Sequence, residues 1–316
     1  MMHNGFAKRR ESQATNKFSG PNRYHRWFTP AIMTVIGMAL STPSAMSDPC
    51  QWHPFSASAI RYTDIGSAPI AQGGAGGVDQ GPHSDCWLES AVAAAAMTRR
   101  GSRLLSDMIA QSSGGYQVTF EEQPTNHIRV TQADITNFAL KDSAQWACVV
   151  EAAGILLYPE LLDTNKTKEG RILNASKPMP EPNDVLGLTL LTGHQAADID
   201  LKSTPTQAVA ELLERNLRSE IPMTAASNAP TNAKAIANSI VVPNHCFTVV
   251  SYGRGTGVIS LRNPWGHNSS AKFPNLVQPG QTKNGVSDIG GGVIRMSLST
   301  FAQHYRTLAY ARIFHL

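Results

Sequence analysis

The stretch Gln80-Gly81-Pro82-His83-Ser84-Asp85-Cys86-Trp87 sets a cysteine where a loop containing Gly and Pro gives way to WLESAVAAAAMTRR (87–100), a run of strong helix formers without Gly or Pro. The run ends on basic residues before Gly101, as a helix C-terminus does, and Asp85 is a good N-cap for its start. A cysteine in that position has chemical meaning. Unpaired N–H groups and the helix dipole stabilise a thiolate there, drawing the pKa down from about 8.5 toward neutrality. Gln80, on the same loop, is placed so that its side-chain NH₂ and the Cys86 backbone N–H converge on the oxygen of a tetrahedral intermediate. Most lone cysteines are small buried hydrophobes; the helix start and the glutamine favour a nucleophile at Cys86, whereas Cys148, mid-helix among apolar neighbours, keeps the ordinary reading.

A nucleophilic thiol needs a base, and His245 and Asn263 sit on two strand-like runs, HCFTVVSY (245–252) and GVISLRN (257–263), joined through SYGRGTG with glycines at 253, 255 and 257. A hairpin centred on Arg254 pairs His245 with Asn263, Phe247 with Leu261 and Val249 with Ile259 on one face. Opposed side chains lie about 4.5–5.5 Å apart at Cβ, so the Asn amide oxygen accepts the histidine N–H and leaves the other ring nitrogen for the thiol proton. A one-residue change of loop length would move both residues off that face. Trp265, just past Pro264, is read equally as a shield over the His–Asn pair or as ordinary aromatic packing.

Outward from these segments, β-prone runs at 116–120 and 127–132 and a helical run at 143–157 complete a mainly helical first half. After a polar, Pro-rich stretch (166–184), Thr204-Pro205-Thr206-Gln207 reads as a capping box opening a helix to about Glu220. Strands then dominate at 221–227, 245–252, 257–263, 291–298 and 307–313, with a short helix at 299–306. Helices followed by strands predict an α+β fold with a cleft between the two parts.

Composition bounds the alternatives. With 41% hydrophobic and 16% charged residues the chain is globular rather than disordered. Its net charge of +4 is an N-terminal property: residues 1–47 carry six cations against Glu11, or +5, which leaves −1 for the remainder and no basic surface for nucleic acid. Those residues read as an export signal, with a basic stretch, an apolar run from Trp27 to Leu40 and small residues near Ser47, so a secreted or periplasmic location is expected; a membrane anchor or a cytoplasmic tail is the alternative. The apolar run is short for a span of about 20 residues, and no stable membrane span is expected once the signal is removed. Cysteines at 50, 86, 148 and 246 lack zinc spacing, so no metal ligand is assigned; in an exported protein Cys50 and Cys148 offer a disulfide, and a buried free Cys148 is the other reading.

These residues together resemble the calpains. QGPHSDCW is similar to the family's Q-G-x-x-G-D-C-W segment, and NHCFTVV with LRNPWG is similar to its G-H-x-y-x-V and R-N-P-W-G segments. WACVVEAAGILLYPEL followed by LTG (191–193), and GGVIRMSLSTFAQHY, resemble further family elements, so the likeness runs over roughly residues 78–315. It implies a papain-like, two-lobed cysteine protease, with a helical lobe (78–200) carrying the nucleophile and an antiparallel β lobe (201–316) carrying His and Asn. A signal segment (1–47) and a linker or pro-segment (48–77) would precede them. It further implies Cys86, His245 and Asn263 as the triad, Gln80 as oxyanion donor, Trp265 as aromatic cover, and a protein or peptide substrate. Ser84 replaces a family glycine, His83 enters the oxyanion loop, and Asn244 and Cys246 flank the histidine where Gly and Ala are usual. The family's lobe calcium ligands are acidic residues before the glutamine and after Asn-Pro-Trp-Gly; here GGVDQ and HNSS leave only Asp79, so calcium is not expected to be required. A catalytically silent binding module, and an acyl-transferring or deamidating enzyme on the same triad, are the other functions these residues allow.

Overall fold

The short side chains of Ser90, Ala91 and Ala93–Ala96 let neighbours approach helix α1 (Cys86–Ala96) closely, and all of its residues are buried. The computed structural model of the chain describes residues 74–138, 140–159, 184–230 and 232–312; the expected signal segment and residues 48–73 of the expected linker lie outside these. The run expected as one helix over 87–100 is two. Thr98, in extended conformation, accepts a hydrogen bond from Gly101 N at 2.9 Å and opens α2 (Arg99–Met108), so a local N-cap interrupts a run that propensity alone would continue.

A small antiparallel sheet follows, β1 (Ile109–Ser112), β2 (Gly115–Val118) and β3 (Ile128–Val130), then helices α3 (Gln132–Phe138), α4 (Gln145–Leu157) and α5 (Asp184–Thr192). The remaining elements are β4 (Ala197–Asp200), α6 (Thr206–Arg218), β5 (Met223–Ser227), α7 (Ala233–Ala237), β6 (Cys246–Gly253), β7 (Val258–Arg262), β8 (Thr282–Lys283), β9 (Val286–Asp288), β10 (Val293–Ser297), α8 (Leu298–His304) and β11 (Tyr305–Tyr310). Their strands form one antiparallel eight-stranded sheet in the order β4-β11-β5-β6-β7-β10-β9-β8. The fold is thus mixed helix and antiparallel sheet. The expected capping box at α6 does not form: Pro205 holds the N-cap position without a side-chain bond.

The alternation of strand side chains explains how helices and sheet meet. On one face Thr224, Ala226, Cys246, Thr248, Thr307 and Ala309 are small or hydroxylated. Thr248 Oγ1 donates to Ser90 O at 2.8 Å, Thr224 Oγ1 to Asp184 O at 3.1 Å and Thr307 Oγ1 to Asp184 Oδ2 at 2.7 Å, so α1 and α5 lie directly on this face. Ala226, Cys246 and Ala309 join the helical core around Leu88, Val92, Phe120 and Val149. The other face carries Met223, Phe247, Val249, Tyr305 and Leu308, which build a second core with α6 and α8. Among the described residues no helix is long and apolar enough to cross a membrane. Cys148 is disulfide-bonded, and Cys50, the partner considered for it, lies outside the described residues.

Helices α1 and α5 touch because position 187 has no side chain: a Cβ there would sit 2.2 Å from Trp87 O and 2.8 Å from Ala91 Cβ. Backbone oxygen cannot give way as a flexible side chain can. Gly187→Ala is therefore expected to lower unfolding free energy by about 1–3 kcal/mol in urea titrations, despite alanine's better helix propensity. Gly255→Ala, where a Cβ meets nothing within 4 Å, is the control and should stay within about 0.5 kcal/mol of the parent.

Candidate active site

Cys86 opens α1, 8% exposed, at the edge of a cavity of about 740 Å³ that Gln80, His245, Trp265 and Lys272 also line. The first amides of α1 have no intrahelical acceptors, so the sulfur sits in the positive field of a helix start. Asp85 holds the N-cap position, as expected, yet its side chain makes no bond to the helix. It is fully buried and accepts from Gln80 Nε2 at 2.8 Å, and the same Nε2 donates to His83 O at 2.7 Å. Both amide hydrogens of Gln80 are thus spent within the loop. Gln80 lines the cavity, but it can reach an oxyanion only by giving up one of these bonds.

His245 and Asn263 meet, although not through the expected register. The observed pairs are Thr248↔Arg262 and Val249↔Leu261, then Ser251↔Ser260, Tyr252↔Ile259 and Gly253↔Val258. The turn spans residues 254–257, with Gly257 at φ +64° closing onto Gly253 O at 2.8 Å, and this shifts the pairing by three positions from a hairpin centred on Arg254. A shift of three would send His245 and Asn263 to opposite faces. The extra residue Val250, bulged between Val249 and Ser251, takes one position back. The net shift of two restores the face and makes the two residues diagonal neighbours rather than opposites. His245 Nε2 lies 2.8 Å from Asn263 Oδ1.

The polarity of that bond is fixed from outside. Asn263 Nδ2 donates to His267 O at 2.9 Å and to Asn268 Oδ1 at 3.3 Å, and Asn268 Nδ2 donates to Asp288 Oδ2 at 3.1 Å. Oδ1 of Asn263 is therefore the acceptor, Nε2 of His245 carries its proton, and Nδ1 is left for Cys86. The Trp265 ring lies 4.7 Å from the imidazole between centroids, and its backbone N–H also donates to Asn263 Oδ1 at 3.1 Å. A hydrogen bond from the Cys246 thiol, with the charge of His245 and its own hydrogen bond, holds the Cys86 thiol well below its ordinary range against the opposing effect of burial. The neighbouring Cys86 side chain, and then burial, push Cys246 the other way, so it keeps its proton.

Residues 69–311 match the family model described as calpain family cysteine protease. The chain belongs to the calpain family. No curated protein matches it in a direct sequence comparison. Among the described residues of this calpain-family chain, no group of three or more His, Cys, Asp or Glu side chains is arranged to hold a metal ion.

Two features of the site escaped the sequence reading. One is Cys246, noted only as a departure beside the histidine. The other is a buried acidic cluster: Asp85, Glu89, Asp142 and Glu151 are each fully buried, and the guanidinium of Arg262 acts on Glu89 and Asp142. Burial, then the mutual repulsion of the carboxyls, drives Glu89 and Glu151 well above the usual carboxylate range, and burial raises Asp142 to about 7. Glu89 and Glu151 both lie close enough to Asp142 for each carboxyl to act on the others' protonation. A single sequence offers no signal for this, because the members come from α1, α4 and the segment between α3 and α4.

A folded-state pKa raised from 3.8 to about 7 means that the folded chain binds more protons than the unfolded chain in that window. The stabilisation is fully present below the unfolded value and is lost as pH rises through about 7. Thermal unfolding of the full chain is expected at a higher midpoint at pH 5 than at pH 8. Asp142→Asn, which keeps the acceptor for Asp79 N, should narrow that difference; an unchanged difference would show that Asp142 is already ionised at neutral pH.

Proposed function

We propose that this calpain-family chain is a cysteine endopeptidase that hydrolyses peptide bonds in proteins through Cys86, His245 and Asn263. Its architecture is then the two-lobed, papain-like one, with the cavity as the substrate cleft between helical and β lobes. The observation that carries the reading is the His245–Asn263 bond of 2.8 Å, whose polarity leaves Nδ1 free to serve a Cys86 thiol held in the thiolate range. The thiolate attacks the scissile carbonyl carbon, and the backbone N–H of Cys86 stabilises the oxyanion, joined by Gln80 once its amide lets go of His83 O. His245 passes its Nδ1 proton to the leaving amine and then deprotonates the water that hydrolyses the thioester. Asn263 keeps the imidazole in the productive tautomer, and Trp265 shields their hydrogen bond from water.

The way the loop before Cys86 is tied down supports a reading without a calcium requirement. Arg262 Nη2 donates to Val78 O at 2.7 Å and pairs with Asp79 Oδ1 at 3.1 Å, and Gln80 N donates to Pro264 O at 2.9 Å. These contacts hold the loop before Cys86 against the segment bearing Asn263 through protein groups alone. A disulfide at Cys148 supports the reading of the chain as exported, since such bonds persist in oxidising compartments.

Incubation of the full chain with casein, in chelator and in calcium, tests both claims, with fragments identified by mass. Cleavage in both conditions is expected, with no turnover by Cys86→Ala and a loss of about 10²–10⁴ for His245→Ala. Asp79→Asn should lower the rate in chelator, and calcium should not restore it. A wild-type rate that appears only with calcium overturns calcium independence. Casein changed in mass by deamidation, with no fragments, overturns the endopeptidase.

A further inference from the structure

The proposed reaction leaves a second thiol beside the nucleophile unused. Cys246 is the first residue of β6 and points, like Thr248 two positions on, from the face of the sheet that meets α1. Cys86 and Cys246 are both free and both lie in the helical core, where α1 packs on the face of β6 that bears Cys246, so the two side chains belong to one helix–sheet contact. The backbone around Cys246 is held firmly: Ser227 N donates to His245 O at 2.9 Å, and His245 N donates to Ser227 Oγ at 3.0 Å. Access is unequal. Cys86 lines the cavity, whereas Cys246 is 0% exposed and lies behind it. A small oxidant entering the cavity meets Cys86 first, with a protonated thiol waiting at its back.

We propose that Cys86 and Cys246 form a peroxide-reactive dithiol site, in which Cys246 resolves the sulfenic acid of Cys86 into a disulfide that a thiol reductant reverses. In the first step the Cys86 thiolate attacks one oxygen of hydrogen peroxide, the O–O bond breaks, and the departing hydroxide takes a proton from solvent to become water. In the second, the Cys246 sulfur attacks the sulfenic sulfur as its S–H proton leaves, the S–O bond breaks, and a second water departs. Two thiols lose two electrons in all, and one peroxide gains them. The disulfide takes the nucleophile out of service. It also keeps Cys86 from the sulfinic state, which thiols do not reverse. A dithiol reductant returns both protons and electrons and is itself oxidised to a disulfide.

The proposal rests on Cys86 being the reactive thiolate, not on peptide hydrolysis, and its test separates the two. The full chain is treated with a small excess of hydrogen peroxide, remaining thiols are blocked with iodoacetamide, and non-reduced peptides are mapped by mass. A Cys86–Cys246 cross-linked pair, lighter by two hydrogens, is expected. Dithiothreitol, at a level that the same map shows to leave the bond at Cys148 intact, should then restore iodoacetamide labelling of Cys86. In Cys246→Ser and Cys246→Ala, each compared with its own untreated sample, the same dose should drive Cys86 to sulfinic acid with no recovery. The wild-type map decides the matter even where a variant does not fold. Sulfinic acid on Cys86 with Cys246 still alkylatable after denaturation, or a cross-link from Cys86 to another cysteine, overturns the proposal. Cross-linking in a chain that does not cleave casein when reduced overturns the protease reading and leaves the dithiol site standing.

Discussion

The buried guanidinium of Arg262 is the interaction on which the site depends. It stands at the end of β7, one residue before Asn263, and reaches across to the Val78 carbonyl and the Asp79 carboxylate, on the loop that leads to Cys86. The sulfur and the imidazole belong to segments about 160 residues apart in sequence, and their alignment needs something more directional than apolar contact. A planar fork of donors supplies direction. The approach is close enough that Gly266, at φ +70°, has no room for a side chain: a Cβ would fall 2.1 Å from Asp79 Oδ1. The loop is thereby held from two sides, by the ion pair and by the hydrogen bond of Gln80 N to Pro264 O.

The cation that makes this join is outnumbered by its carboxyls. Arg262 faces Asp79, Asp142 and Glu89, with Asp85 and Glu151 completing the cluster. Five ionised carboxylates around one guanidinium would repel strongly in so dry a place, and the cheaper solution is to keep most of them protonated. A neutral carboxyl can donate as well as accept, which lowers the cost of crowding these groups around Asp142. In this arrangement the acids are a buried packing element under α1.

Much of this was legible in the chain. The helix start at Cys86, the two strands carrying His245 and Asn263, and the order of helices before strands are local patterns that periodicity and breakers expose. The register was not legible, since it combined a four-residue turn with a bulge at Val250, each of which alone misplaces the histidine. What decided the outcome was parity, because a net shift of two keeps a face. Asp85 was read as a cap and is drawn instead to Gln80, a choice made by burial rather than by helix propensity. Cys246 and the acidic cluster were invisible for a common reason: their meaning lies in partners brought together by the fold of α1 onto the sheet.

The hydrogen-bonded chain behind the imidazole shows how a distant carboxylate can set a tautomer without touching the ring. An amide has one donor end and one acceptor end, so a row of amides has a direction that must be imposed at one terminus. Asp288, which accepts from Gly290 N at 2.7 Å with one oxygen and from Asn268 Nδ2 with the other, offers only acceptors when ionised. Asn268 must therefore present its oxygen to Asn263, and Asn263 in turn presents its oxygen to His245. A carboxylate placed directly on the imidazole would hold it more strongly as the cation. A neutral amide orients the ring with less electrostatic bias, leaving the negative sulfur of Cys86 as the stronger influence on its charge. Putting the charge two amides away keeps the orientation and, in the proposed hydrolysis, relaxes the grip on the proton passed to the leaving amine.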